Sequence, residues 1–143
     1  MFTATKTFHD FPCCHRAWRH EGACKYLHGY CRSFRLVFEA PTLNDIGFVT
    51  DLSALKDVEA ELRRLFDHTV LVARDDPALP TFKALEALGV MRLTELPATT
   101  SEAIAKYVHD LIAENFFFKD PSAVKVRSVT VVENEKIAAT YEV

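Results

Sequence analysis

Four side chains that suit metal binding or nucleophilic chemistry lie close together near the start of the chain: His15, His20, Cys24 and His28. Imidazole nitrogen and thiolate sulfur are the donors that zinc prefers. One such histidine is usually an ordinary surface or core residue, but three of them with a cysteine indicate a metal site or a catalytic centre. The four cysteines do not form the paired Cys-x-x-Cys clusters of a structural zinc module.

Cys24 is the cysteine best placed to react, because Lys25 follows it and several imidazoles lie near it in the sequence. A neighbouring cation favours the thiolate, which is the form that acts as a base or a nucleophile. The alternative is a small buried filler, and that is our interpretation of Cys13, Cys14 and Cys31.

Carboxylates supply the remaining candidates. Asp67 and His68 follow the end of a predicted helix, and a carboxylate that orients an imidazole gives a proton relay that works near neutral pH. The alternative is a helix-terminal histidine that interacts with the helix dipole. Glu102, three residues after Thr99, fits a capping box and needs no function there. Glu133 ends a predicted strand and, taken alone, resembles a solvated polar residue.

Two kinds of element must position these residues. Apolar residues that alternate with polar ones, or runs rich in β-branched residues, predict strands at 2–11, 30–39, 124–133 and 136–143, the last two joined by a tight turn at 134–135. Helical spacing of apolar residues predicts helices at 51–66, 81–88 and 100–115. Loops are expected at 12–27 and 67–80. With two long helices in a ββααββ order, the prediction is one α+β domain, residues 1–143, with an antiparallel sheet.

Composition excludes several function classes. The net charge is −3 and no basic run is present, which argues against nucleic acid as a partner. The apolar stretches are too short to span a bilayer, and the first ten residues lack the apolar segment of a signal peptide. We therefore expect a cytoplasmic protein that does not bind membranes.

The motifs taken together resemble one family. Residues 24–30, Cys-Lys-Tyr-Leu-His-Gly-Tyr, resemble the Cys-x-x-Leu-His-Gly-His signature of the 6-pyruvoyl-tetrahydropterin and 6-carboxytetrahydropterin synthases. Residues 11–16 are similar to the family's Phe-x-Ala-x-His-Arg segment, 48–52 to Met-Val-x-Asp-Phe and 66–68 to Leu-Asp-His. Residues 97–102 resemble Pro-Thr-x-Glu, and 132–133 resemble the segment with the pterin-anchoring glutamate. The matches keep their order along most of the chain.

The resemblance implies a tunnelling fold, in which several subunits close a barrel and homohexamers carry active sites where subunits meet. It implies 7,8-dihydroneopterin triphosphate as substrate and, in the bacterial branch, release of acetaldehyde and triphosphate. The product would be 6-carboxytetrahydropterin, a precursor of deazapurine nucleosides such as queuosine. It further implies that Cys24 is the proton-abstracting base, that Asp67 and His68 form the relay, and that Glu133 and Glu102 bind the pterin ring.

The resemblance also implies a zinc ion held by His15 and His28, but the family's third ligand, the second histidine of His-Gly-His, is Tyr30 here. A phenol binds zinc well only after it loses its proton, so His20 is kept as a substitute ligand. Three alternatives follow: a zinc lyase, a weakly metallated enzyme with a variant aldol-type reaction, and a metal-free, non-catalytic pterin-binding relative. A structural or storage metal site is a further alternative.

Overall fold

The computed structural model describes residues 1–116 and 123–143, and its strands form one curled sheet. The six strands are β1 (Phe2–His15), β2 (His28–Ala40), β3 (Thr69–Ala73), β4 (Leu93–Leu96), β5 (Lys125–Val132) and β6 (Ala138–Glu142), in the sheet order β4-β3-β1-β2-β5-β6. The helices are α1 (Lys56–Phe66), α2 (Leu79–Ala87) and α3 (Ser101–Asn115). This architecture confirms the α+β class. No helix in the described ranges is long and apolar enough to cross a bilayer.

The sheet combines antiparallel and parallel pairing. β1 and β2 form a long antiparallel hairpin, and β5 and β6 continue the antiparallel order on one side. On the other side β3 pairs parallel with β1, and β4 pairs parallel with β3. The loop predicted at 67–80 was therefore wrong where β3 forms, and β4 was not predicted. β3 is a short, mostly buried apolar run without alternation, which is typical of a parallel strand between two others.

β1 is longer than its sequence pattern predicts. A bulge lies between Phe8 and Phe11, with Asp10 at φ 69°, and the polar, histidine-rich sequence from Pro12 onward favoured a loop. Beyond the bulge the strand continues to His15, where the loop predicted from residue 12 was wrong. This extension matters for the site because it brings His15 into register with the first residue of β2.

One hydrophobic core joins the helices to the sheet. Apolar side chains of β2, α1 and α3 that are fully buried include Phe34, Leu36, Phe38, Leu62, Phe66, Ile104 and Val108. Burying one such side chain contributes on the order of 1.5–3 kcal/mol. The core fixes the two faces of the β1–β2 hairpin and so determines which of its side chains point toward the pocket described below.

The ends of the elements differ in detail from the expectations. α3 is capped by Thr100, whose hydroxyl accepts from the Ala103 amide at 3.2 Å, so the predicted capping box with Thr99 is wrong. The helix predicted from residue 51 begins as a separate 3-10 turn, Leu52–Ala54, ahead of α1. The predicted β5–β6 hairpin is confirmed, but residues 133–137 separate its strands, because Asn134 Oδ1 accepts two backbone amides there.

Candidate active site

Three aromatic rings meet where β1 and β2 lie side by side. His15 is paired with His28 in the antiparallel register, and Tyr30 follows on the same face of β2. The ring centroids of His15 and His28 are 4.7 Å apart, and the Tyr30 ring lies 5.5 Å from His28 and 6.1 Å from His15. Gly29 lets β2 lie close to β1 at this point, because a Cβ there would lie 3.1 Å from the Cys13 carbonyl oxygen, which is tight.

Backbone carbonyls hold both imidazoles in one tautomer. Nδ1 of His15 lies 2.6 Å from the Thr99 carbonyl oxygen, and Nδ1 of His28 lies 2.6 Å from that of Tyr26. A carbonyl oxygen can only accept, so each Nδ1 carries the proton and each Nε2 keeps its lone pair free. Metal-binding histidines are commonly oriented in this way.

His15 is also neutral at physiological pH. It is buried, and that burial, followed by the positive charge of Arg32, lowers its pKa to about 4. A neutral imidazole offers its lone pair to a metal or to a proton, which an imidazolium does not.

Cys24 reaches the same pocket from the loop between β1 and β2. It lies in a 3-10 turn, Ala23–Lys25, and its thiol is exposed. The turn is tied to the strand end, because the Ala17 amide donates to the Cys24 carbonyl at 2.8 Å. Arg16 Nη1 donates to the Lys25 carbonyl at 3.4 Å.

A cavity of about 360 Å³ collects these groups with the two predicted glutamates. Its polar lining comprises His15, His20, Cys24, His28, Tyr30, Thr100, Ser101, Glu102 and Glu133. The Ser101 hydroxyl donates to Glu133 Oε1, which leaves the other carboxylate oxygen available to a ligand. Because Glu102 is not part of a capping box with Thr99, its place beside the cavity has no capping explanation.

Asp67 and His68 lie elsewhere in the chain. Their side chains contact each other, with Asp67 Oδ1 2.6 Å from His68 Nδ1, and the His68 side chain is 81% exposed. His68 lines a different hollow, which shares only Tyr30 with the cavity around Cys24. Its φ of 56° is unusual for a residue other than glycine, and such strained backbone clusters at functional sites.

The donor set suits zinc at two positions and is weaker at the third. His15 and His28 present oriented imidazole nitrogens, and the Tyr30 phenol is beside both. Within residues 1–116 and 123–143, no three His, Cys, Asp or Glu side chains are close enough to hold a metal together. His20 lines the cavity but does not complete a group of that kind with His15 and His28.

The sequence did not predict the roles of three buried residues next to the site: Asp76, Thr99 and Arg32. Asp76, buried, accepts two hydrogen bonds from Arg16, at 2.8 and 2.6 Å. Thr99 accepts from His15 through its carbonyl oxygen and donates its hydroxyl to the Arg16 carbonyl. Arg32 lies fully buried below Tyr30. The sequence signal for Arg32 was a charged residue among the apolar positions of β2, Thr99 and Arg16 lay within matched motifs, and Asp76 had no signal.

Comparison with known proteins places this arrangement in context. A family model described as 6-pyruvoyl tetrahydropterin synthase matches residues 3–143. The 6-carboxy-5,6,7,8-tetrahydropterin synthase of Rickettsia felis is 29% identical over 68 residues, which cover 47% of this chain and 49% of that protein. The protein of the same name from Aquifex aeolicus is 27% identical over 125 residues, which cover 76% of each. The first match thus spans about half of its relative's length.

Solved structures share the fold. A structure of an uncharacterized protein from Wolinella succinogenes has a TM-score of 0.85 at 24% identity, covering 99% of this chain and 97% of that one. The 6-pyruvoyl tetrahydropterin synthase of Caenorhabditis elegans has a TM-score of 0.67 at 22% identity, covering 100% of this chain and 97% of that one. At these identities the likeness shows the fold alone, and that fold is the expected tunnelling fold at the level of a single chain.

Proposed function

This chain belongs to the 6-pyruvoyl tetrahydropterin synthase family, and we propose that it is a pterin lyase of the 6-carboxytetrahydropterin synthase type. The proposed substrate is 7,8-dihydroneopterin triphosphate. The proposed products are 6-carboxytetrahydropterin, on the route to queuosine, with acetaldehyde and triphosphate. One observation carries the proposal: a single cavity collects two oriented imidazoles, a free thiol and two carboxylates.

The glutamates are the residues of the cavity that would bind the pterin ring. Glu133, held by the Ser101 hydroxyl, has a carboxylate oxygen free to accept the paired N–H groups of a 2-amino-4-oxo pterin. Glu102 lies on the first turn of α3 beside it and adds negative charge. The cavity volume falls within the usual range for sites that bind small molecules.

The imidazoles are the residues of the cavity that would hold the substrate side chain. His15 and His28 are the residues that would bind zinc, with Tyr30 as the third protein ligand. Zinc, when bound, polarises hydroxyl oxygens and makes the adjacent carbon–hydrogen bond more acidic. The carbonyls of Thr99 and Tyr26 keep both Nε2 lone pairs directed away from the backbone, so no imidazole has to reorient before a ligand binds.

Proton transfer is assigned to two groups. The Cys24 thiolate would remove a proton from the side-chain carbon on one face, since its exposed thiol lines the same cavity. On the other face His68, oriented by Asp67, would return a proton. Because His68 faces solvent in a different hollow, we propose that it serves the Cys24 cavity of a neighbouring subunit in a homohexamer.

The experiment is to incubate purified protein with 7,8-dihydroneopterin triphosphate, measure acetaldehyde and determine bound zinc. Active protein with about one zinc per subunit is expected when zinc is supplied in excess. Cys24→Ala should abolish turnover and still bind pterin. Turnover by Cys24→Ala at the original rate would show that another group is the base. Well-folded protein with neither zinc nor acetaldehyde release would contradict the proposed lyase.

Tyr30 favours one second candidate, a pterin-binding protein without lyase activity. The described residues offer no group of three histidine, cysteine or acidic ligands for a metal, which favours a protein that binds pterin without metal. Under this alternative the protein would form a tight pterin complex, and the pterin would be recovered unchanged after long incubation. Release of acetaldehyde would exclude it.

A further inference from the structure

Arg32 is a buried charge for which the described residues provide no ion pair. It lies on β2 two residues after Tyr30, on the same face, and is 0% exposed. Its Nη1 donates to the carbonyl oxygen of Cys13 at 3.1 Å and to Cys13 Sγ at 3.0 Å. Its Nε and Nη2 have no hydrogen-bond partner among the residues that the structure describes. Buried charges are normally paired and buried donors normally bonded, so this guanidinium requires an explanation.

The position of that charge suggests the explanation. The Arg32 guanidinium carbon is 5.3 Å from the centroid of the Tyr30 ring, and the same ring contacts both His15 and His28. The charge therefore lies one ring away from both imidazoles of the proposed metal centre. An arginine guanidinium remains charged in proteins, so its effect does not depend on pH.

We propose that Arg32 sets the metal affinity of this centre and keeps a divalent cation weakly bound and exchangeable. The inference rests on the zinc site of the proposed function. A fixed positive charge repels a dication, and the repulsion is strong in an interior shielded from water. At comparable distances from the guanidinium, a negative charge on the Tyr30 oxygen would offset about half of this repulsion, because the metal carries two charges and the oxygen at most one.

The test compares the zinc dissociation constants of full-length wild type, Arg32→Met and Arg32→Lys by competition with a chromogenic chelator. Methionine has a similar length and no charge, and buried ion clusters have been replaced by apolar residues of similar volume without loss of folding. Arg32→Met is expected to bind zinc at least about tenfold more tightly. Arg32→Lys keeps the charge and should remain close to wild type. Arg32→Gln, which is neutral and polar, gives the same comparison if the methionine variant does not fold.

Zinc affinity that is unchanged or lower in the neutral variants would overturn the role of Arg32, since a purely structural arginine would not raise affinity when it is removed. His28→Ala separates this failure from failure of the site. If His28→Ala loses zinc while the neutral Arg32 variants match wild type, the centre stands and only the role of Arg32 falls. If His28→Ala binds zinc as wild type does, the proposed metal centre itself is wrong.

Discussion

Asp76→Asn tests how the loop that carries Cys24 is held. The Asp76 side chain is 1% exposed and accepts two hydrogen bonds from Arg16, and Arg16 also donates to the Lys25 carbonyl beside Cys24. Asparagine keeps the shape of the side chain but removes the charge and places an amide group opposite the guanidinium. Breaking a buried ion pair by removing one partner costs roughly 3–5 kcal/mol. Arg16 is 26% exposed and stays partly hydrated, so we expect a loss of about 3 kcal/mol.

The matched control is the neighbouring pair. Asp75 binds Arg19, but both side chains are more than half exposed, so Asp75→Asn should cost less than about 1 kcal/mol. Urea denaturation at pH 7 measures both free energies of unfolding. Asp76→Asn should also lower lyase turnover, because the turn with Cys24 loses its anchor to the strand end.

The pH dependence gives a second check on the same pair. The hydrogen bond from Arg16 holds the pKa of the Asp76 carboxyl below its usual value. The pair therefore stabilises the fold above that usual value, about 4, and the stabilisation is lost as the pH falls through the lowered pKa. Wild type and Asp76→Asn should accordingly become equal in strong acid. Equal losses for the two asparagine variants, or a difference that does not change with pH, would refute the reasoning.

Two further predictions concern Glu133 and the helix cap at Thr100. Glu133→Gln should weaken pterin binding about tenfold, because a charge-assisted contact becomes a neutral one. Glu135→Gln, in the exposed hairpin loop, should bind pterin as wild type does. Fluorescence titration measures both affinities, and equal affinities would remove Glu133 from the pterin site. Thr100→Ala should lower the free energy of unfolding by about 1 kcal/mol, because the α3 amide of Ala103 loses its capping hydroxyl, and an unchanged thermal midpoint would show that this cap is replaced by solvent.

The spacing of apolar residues along the sequence was enough to predict the two long helices and β2. The helical spacing before Phe66 and after Thr100 located α1 and α3, and the alternation of Phe34, Leu36 and Phe38 located β2. β3 and β4 were missed because a short strand inside a parallel arrangement is defined by its neighbours, which a local window does not contain.

The candidate site could likewise be predicted only in part: its residues could be named from the sequence, but not the contacts that orient them. Residue types and spacing were enough to single out His15, Cys24 and His28, and the structure brings their side chains to one cavity. The orientation of His15 depends on the carbonyl of Thr99, 84 positions away along the chain, a contact that no motif reveals.

The central claim is that the Cys24 of one subunit acts with the His68 of another. Cys24→Ala and His68→Ala should each be inactive alone. When the two are co-expressed with different tags and mixed assemblies are purified, random pairing leaves about a quarter of the sites with both groups intact, and about that fraction of wild-type acetaldehyde release should return. Mixed assemblies of verified composition that release no acetaldehyde would contradict the claim.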